Sequence, residues 1–283
     1  MPESVQRFDP RQHMSRPSFE IFHYHDTHPG HVDMHHHDFY EVYFLLAGRV
    51  EYRVEGKMYR LDPGDVLLIN PMELHQPLVA PEQAYERIVL WVDKTYLDLV
   101  CGENAELSRC FDSTLPTHTN VLRPSPARRH ELLALLQQLV QEDRSTDYAS
   151  ALCARGLLLQ FLVMLNRLAL RSAARQNSRE ENEPLIAAVL SYIGEHYSEE
   201  LSLDTLASRF YVSKYHLSHE FSRVVGVSLH RYLLLKRLQL ARQMLSDGLS
   251  PGLVCSRCGF GDYANFYRAF KKRYGVAPKD CAL

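Results

Sequence analysis

No stretch of this chain approaches the roughly 18 uninterrupted apolar residues that a membrane span requires. Its polar start, Met1-Pro2-Glu3-Ser4, lacks the profile of a secretion signal. A cytoplasmic protein with no membrane partner is therefore expected. Paired cysteines are also scarce. The six (Cys101, Cys110, Cys153, Cys255, Cys258, Cys281) are scattered, and a reducing compartment would keep them as thiols. Only Cys255-x-x-Cys258 has the spacing of a zinc or redox pair; no second pair follows it, so core packing is expected there. A surplus of positive charge is missing too. The net charge of -2 would by itself argue against a nucleic-acid partner. The distribution reverses that reading: residues 184–283 hold 13 Lys+Arg against 8 Asp+Glu, or +5, which leaves -7 on residues 1–183. One basic domain on an acidic front end suits DNA contact by that domain alone.

What is present organises the 283 residues into two domains with ordinary globular composition. Residues 1–20, with Pro2, Pro10 and Pro17, read as an arm. From Phe19 to Val92 short strands and turns follow one another. Val50, Tyr52 and Val54 alternate with charged residues, Glu55-Gly56-Lys57 and Asp62-Pro63-Gly64-Asp65 turn the chain, and Val66-Leu67-Leu68-Ile69 is a buried run. That pattern predicts a small β-barrel or jelly roll. Helical periodicity takes over at Leu132, Leu135, Leu136, Leu139 and Val140, and again at Leu158, Phe161, Leu162, Leu165 and Leu168. Two such helices, about 127–172, predict a dimer interface, with packing on the barrel as the alternative. The polar run 173–183 is the linker between a domain over 21–172 and a helical domain over 184–283. Pro184 suits the first turn of a helix with Ile186, Val189, Leu190 and Ile193 on its apolar side.

The helical domain carries two helix-turn-helix patterns. Residues 202–221 and 251–270 each show a short apolar helix, a tight break, a capping residue (Ser213 or Asp262) and a longer two-faced helix. This layout places a helix in the DNA major groove. Between the patterns, residues 228–245 form a helix with Leu233, Leu234, Leu238, Ala241 and Leu245 on one side. At about 1.5 Å per residue it spans about 27 Å, near the roughly 34 Å repeat of groove faces on one side of B-DNA.

These residues resemble the AraC/XylS family of bacterial transcription regulators. Gly259-Phe260, Asp262, Phe266, Arg268, Phe270-Lys271-Lys272, Gly275 and Pro278 fall at the spacing of the family signature, with Arg237, Ala241 and Leu245 on the connecting helix. The chain departs from the usual Pro-x-x-Tyr-Arg ending with Pro278-Lys279-Asp280-Cys281-Ala282, so a short last helix is expected. The front end resembles the family's cupin-type sensor domain at His35, His37, Asp38-Phe39-Tyr40-Glu41, Gly48, Pro63-Gly64-Asp65 and His75. The resemblance implies an α+β two-domain fold, with a cupin-like barrel and a helical dimerisation region ahead of an all-α double helix-turn-helix domain. It implies double-stranded DNA, a small-molecule effector, RNA polymerase and a second copy of the chain as partners, and usually activation.

The same resemblance places Lys214, Tyr215, Ser218 and His219 on the exposed face of the first recognition helix. In the second it places Ala264, Asn265, Tyr267 and Arg268. Arg can fork to guanine and Asn to adenine, while Lys271, Lys272 and Arg273 suit phosphates. In the sensor domain His35, His37 and Glu41 share strand parity, joined by Asp33 and Tyr43 if the pleat is regular, and His36 is expected to point outward. With His75 on a later strand, His35, His37 and Glu41 have the spacing of metal ligands in enzymatic cupins. Three readings stay open: Asp33, His35, His37, Glu41, Tyr43 and His75 as a polar wall for an organic ligand such as a sugar; His35, His37, Glu41 and His75 around a divalent metal such as Zn, Fe, Mn or Ni; or histidines that stabilise the barrel. No cofactor is required by the first. A cupin metalloenzyme carrying an accessory DNA-binding domain is the alternative function, though no acid-base pair accompanies the histidines. A nucleoid-type binder without ligand is a third.

Overall fold

A computed structural model of the chain describes residues 12–27, 30–71, 73–79, 84–101, 106–113, 115, 118–172 and 184–281. They divide into two compact units, one with the sheets and the first helices, the other with the helices from Pro184 onward. Most of the expected arm (1–11) and the linker 173–183 lie outside the described residues.

The front unit is two antiparallel sheets packed face to face. Strands β1 (Phe19–Asp26), β2 (Tyr40–Ala47), β5 (Val66–Ile69), β7 (Tyr85–Val92) and β8 (Val121–Leu122) form one, in the order β1-β7-β2-β5-β8. Strands β3 (Val50–Val54), β4 (Lys57–Leu61) and β6 (His75–Val79) form the other, in the order β4-β3-β6. Two-residue side-chain alternation decides the layers. Tyr40, Val42, Phe44, Ile88, Leu90 and Val92 face outward into a core shared with helices, whereas Tyr43, Leu45, Tyr85, Val89 and Trp91 face inward toward the smaller sheet. Because both faces of the larger sheet are covered, β5 is buried at every position. The β3–β4 turn has positive φ at both Glu55 (45°) and Gly56 (76°), the conformation that matches the twist of a two-residue hairpin.

Helix α1 (Lys94–Cys101) follows β7; α2 (Pro126–Arg144) and α3 (Ser150–Ser172) cover the outer face of the larger sheet. Leu132, Leu135, Leu136, Leu139 and Val140 of α2 and Leu158, Phe161, Leu162 and Leu165 of α3 are buried in the chain's own core. The apolar stripes that suggested a dimer interface are therefore taken up by packing on the barrel. By length and composition α3 resembles a membrane-crossing helix. However, Arg155, Gln160, Asn166 and Arg167 interrupt it, and Asn166 donates to the Leu107 carbonyl at 2.8 Å, anchoring it to the domain. The end of the presumed arm is also bound: β1 begins at Phe19, and Arg16 makes two hydrogen bonds to Asp143 at 2.6 and 3.0 Å.

The second unit holds α4 (Pro184–His196), α5 (Leu203–Arg209), α6 (Lys214–Val225), α7 (Leu229–Ser246), α8 (Pro251–Arg257) and α9 (Tyr263–Tyr274). It ends in a 3₁₀ turn over Pro278–Asp280, matching the expectation of a short last helix. Helix α7 enters both halves. Tyr232 meets Phe221 of α6 edge-on at 5.6 Å, while Leu238, Ala241 and Leu245 join Val254, Cys255, Phe266 and Phe270 in one core. Arg237 ties α7 to the end of α4 by donating to the carbonyls of Tyr197 (2.8 Å) and Glu199 (2.6 Å). Cys255 and Cys258 are buried free thiols; Cys258 Sγ packs 3.8 Å from Met244 Sδ. They belong to the core, as the lone spacing suggested.

Candidate functional site

Two copies of one local design build the helix-turn-helix pair. The first helix of each ends at Phe210 or Cys258. The next residue, Tyr211 or Gly259, turns left-handed, with φ of 55° or 74°. Val212 N then donates to Ala207 O (3.0 Å) and Phe260 N to Cys255 O (3.1 Å), so the same backbone bond closes both turns. Ser213 caps α6 by accepting from His216 N at 3.1 Å; Asp262 caps α9 by accepting from Asn265 N at 2.9 Å. Each cap satisfies an otherwise orphaned N–H and contributes about 1 kcal/mol. Leu217, Phe221 and Val225 of α6, and Phe266 and Phe270 of α9, are buried. That leaves the opposite faces to solvent.

Those faces carry the residues expected from sequence. Lys214, Tyr215 and His219 are exposed, and Ser218 is half-buried. Lys214 pairs with Asp204, and Tyr215 stacks along His219, whose Nδ1 lies 3.1 Å from Glu220. On α9, Ala264, Asn265 and Arg268 are exposed, with Tyr267 half-buried. Arg268 Nη2 donates to Asn265 Oδ1 at 2.6 Å, so the two groups suited to base edges already form one exposed pair. Lys271 and Lys272 are exposed, and the Lys271 ammonium sits 5.9 Å from the Tyr267 ring centroid. Arg273 is half-buried, its guanidinium 5.9 Å from the Tyr274 ring centroid, and burial lowers its pKa. Tyr211, 95% exposed in the first turn, went unremarked in the sequence; its place after the last residue of a short helix, where Gly259 stands in the second unit, is the signal that marks it.

In the sensor domain the strand-parity argument fails in part. Strand β2 begins only at Tyr40, and residues 30–39 form a loop with one bridge, His35 to His75. Parity therefore does not govern the loop. His36 is buried rather than outward, and Asp33, with a side chain 91% exposed, faces solvent beside His31 instead of lining the pocket. The His35–His75 bridge nonetheless brings His37, Glu41 and His75 together, all buried, with one ligand atom each within 4.8 Å of the others. His35 stands at the rim, half-buried, its ring 4.2 Å from that of His75 and 6.2 Å from that of His37.

Backbone carbonyls orient all three rings. His35 Nδ1 bonds Asp33 O (2.8 Å), His37 Nδ1 bonds Phe39 O (2.9 Å) and His75 Nδ1 bonds Glu73 O (2.9 Å). A carbonyl only accepts, so each Nδ1 carries a proton. Burial, with His35 and His37 as neighbours, holds His75 well below the ordinary imidazole pKa, and it is neutral. Burial alone would raise Glu41; the hydrogen bond and charge of His37, with His35 and the Trp91 indole, outweigh it and leave the carboxyl below its usual value. Trp91 Nε1 donates to Glu41 Oε2 at 2.8 Å.

Deeper in, Tyr43 donates to the Tyr85 hydroxyl and lies 5.2 Å from Tyr52. Arg87, paired with Asp26, sits over Tyr85 at 4.2 Å and Tyr24 at 4.9 Å. Burial keeps the Tyr43, Tyr52 and Tyr85 phenols protonated, Tyr85 with its pKa pushed up to about 12. Trp91, Tyr85 and Arg87 escaped the sequence reading. The alternation along β7 at residues 85, 87, 89 and 91 is what could have revealed them.

A paired helix-turn-helix domain, following in the chain a sandwich with a buried polar cluster, defines a DNA-binding transcription regulator with a ligand-binding domain. Residues 16–162, more than half of the chain, match the AraC-like ligand binding domain, and residues 206–282 match a helix-turn-helix domain. The chain belongs to the AraC family. The HTH-type transcriptional activator RhaS of Escherichia coli is 26% identical over 258 residues, 87% of this chain and 86% of RhaS. Among solved structures, the C-terminal domain of AraT, a response regulator from Geobacillus stearothermophilus, is 28% identical, covers 36% of this chain and 86% of its own, and has a TM-score of 0.35. ToxT from Vibrio cholerae, solved with an unsaturated fatty acid, is 12% identical over 95% of this chain and 96% of its own, with a TM-score of 0.40.

Proposed function

We propose that the chain is a cytoplasmic transcription activator that works as a homodimer, recruits RNA polymerase and responds to a small polar effector, such as a sugar, in the chamber of its front domain. The observation that carries the DNA half is the pair of identically capped helices with exposed polar faces, both packed on α7. Lys214, Tyr215, Ser218, His219, Ala264, Asn265, Tyr267 and Arg268 read bases, while Lys271 and Lys272 neutralise phosphates. The inward hydroxyls of Tyr43, Tyr52 and Tyr85, with His37, Glu41 and His75, supply the mixture of donors and acceptors that a hydroxylated effector needs. Support for the dimer is the apolar surface left over on the helical layer, with Tyr148, Leu152 and Leu170 exposed. Footprinting on DNA upstream of the chain's own chromosomal neighbourhood tests the reading. Two protected patches about 10 base pairs apart per protomer are expected. Binding without sequence preference would overturn it.

A further inference from the structure

We propose that His37, Glu41 and His75 hold one divalent transition-metal ion, with His35 beside them at the rim. The first ground is hydrogen-bond accounting. Nε2 of His75 is buried without a hydrogen-bond partner, and Nε2 of His37 is buried with the Glu41 carboxylate 3.2 Å away, although neighbouring buried polar groups such as Asn120 and Glu73 are bonded. A buried acceptor left unsatisfied is costly, so the Nε2 lone pair of His75, within 4.8 Å of ligand atoms of His37 and Glu41, calls for a shared partner.

The second ground is spacing. With its Nδ1 proton committed to Phe39 O, His37 turns Nε2 toward Glu41 Oε2 at 3.2 Å. Ligands about 2.1 Å from a metal and separated by a right or tetrahedral angle lie about 3.0–3.4 Å apart, so the spacing suits a metal. The third ground is the support around the ligands. A backbone carbonyl on each Nδ1 and the Trp91 N–H on Glu41 fix ring and carboxylate orientation, the outer-shell arrangement that raises ligand basicity. Two imidazoles and a carboxylate select zinc, iron, nickel or manganese over magnesium or calcium. With three buried protein ligands, coordination positions remain on the His35 side, where an effector oxygen can bind. That last consequence rests on the reading of the chamber as the effector site; metal binding does not.

Trp91 is the only tryptophan in the chain, so its fluorescence reports on Glu41 directly. Full-length protein stripped with a chelator is titrated with zinc or cobalt, read by Trp91 emission, by cobalt absorption and by metal analysis after desalting. Expected are one ion per chain, a change in Trp91 emission and cobalt bands of nitrogen and oxygen ligation. Glu41→Gln, which keeps an acceptor for Trp91, and His75→Ala should each weaken binding by about a hundredfold or more, and His35→Ala by about tenfold, near the loss of an outer-shell partner. Circular dichroism checks that each variant is folded; should His75→Ala unfold, Glu41→Gln decides. No stoichiometric ion in the folded wild type, or equal binding by Glu41→Gln, overturns the proposal and leaves a His37–Glu41 ion pair in its place. Gel shifts on metal-free protein keep the two readings apart, because sequence-specific DNA binding without metal uptake defeats this inference alone.

Discussion

The two helix-turn-helix units share a backbone and differ in what their side chains do. Helix α6 carries Lys214 and Arg223 against Glu220, a balance of +1, whereas α9 carries Arg268, Lys271, Lys272 and Arg273 with no acid, a balance of +4. In the first unit the cations already have acidic partners, Lys214 with Asp204 and Arg223 with Glu220. In the second the exposed Arg268 is braced only by a neutral amide and a carbonyl. Net positive charge is therefore concentrated on α9, and the proposed DNA contact by Lys214 would give up its ion pair with Asp204. The turns differ in the same way. Gly259 is demanded by its surroundings, since a Cβ there would lie 2.5 Å from the Ser198 carbonyl oxygen, whereas Tyr211 adopts the same left-handed geometry in open solvent. One backbone solution thus tolerates opposite side chains because only one of the two turns docks against another segment.

The largest effect that can break this comparison is Gly259→Ala. A backbone clash adds to the left-handed penalty of about 1–2 kcal/mol, so a loss of roughly 2 kcal/mol or more is expected in thermal or denaturant unfolding. A loss below about 0.5 kcal/mol would mean that the turn does not press on Ser198. Next comes the pair Arg268→Ala and Lys214→Ala in gel shifts at fixed salt. Losing a bidentate base contact should cost about 1–3 kcal/mol, roughly 5- to 150-fold in affinity. Lys214→Ala should cost less, because its exposed bond to Asp204 is given up on binding. Equal losses would erase the asymmetry. Smallest is Tyr211→Gly, which relieves the left-handed strain but frees the unfolded chain, two terms of similar size. A stability change within about 0.5 kcal/mol is expected, with any larger drop in DNA affinity assigning Tyr211 a contact of its own.

Much of the back unit was legible because its signals are local. A cap, a left-handed residue and a 3.6-residue apolar repeat all act within a few positions, so residues 202–221 and 251–270 declared their helices without help from the rest of the chain. The front unit was legible as strands and turns but not as a site. Parity served on β2 and β7, where the pleat is regular, and failed over 30–39, where a loop freed His36 and Asp33 from it. The apolar stripes of α2 and α3 were correctly located, but nothing local distinguishes a face that meets a sheet from one that meets a second copy.

By itself the sequence determined where helices start and stop, which of their faces are apolar, and that basic charge gathers behind an acidic sensor. Tertiary structure alone decided that His37 and Glu41 meet His75, more than thirty residues away, through the bridge at His35. It also decided that Arg273 is half-buried beside Tyr274 and that a Cβ at position 259 would press on the Ser198 carbonyl. The physical reason is range: capping and periodicity are settled between chain neighbours, whereas a shared pocket depends on strand register and on which buried atoms are left without a partner once packing is complete.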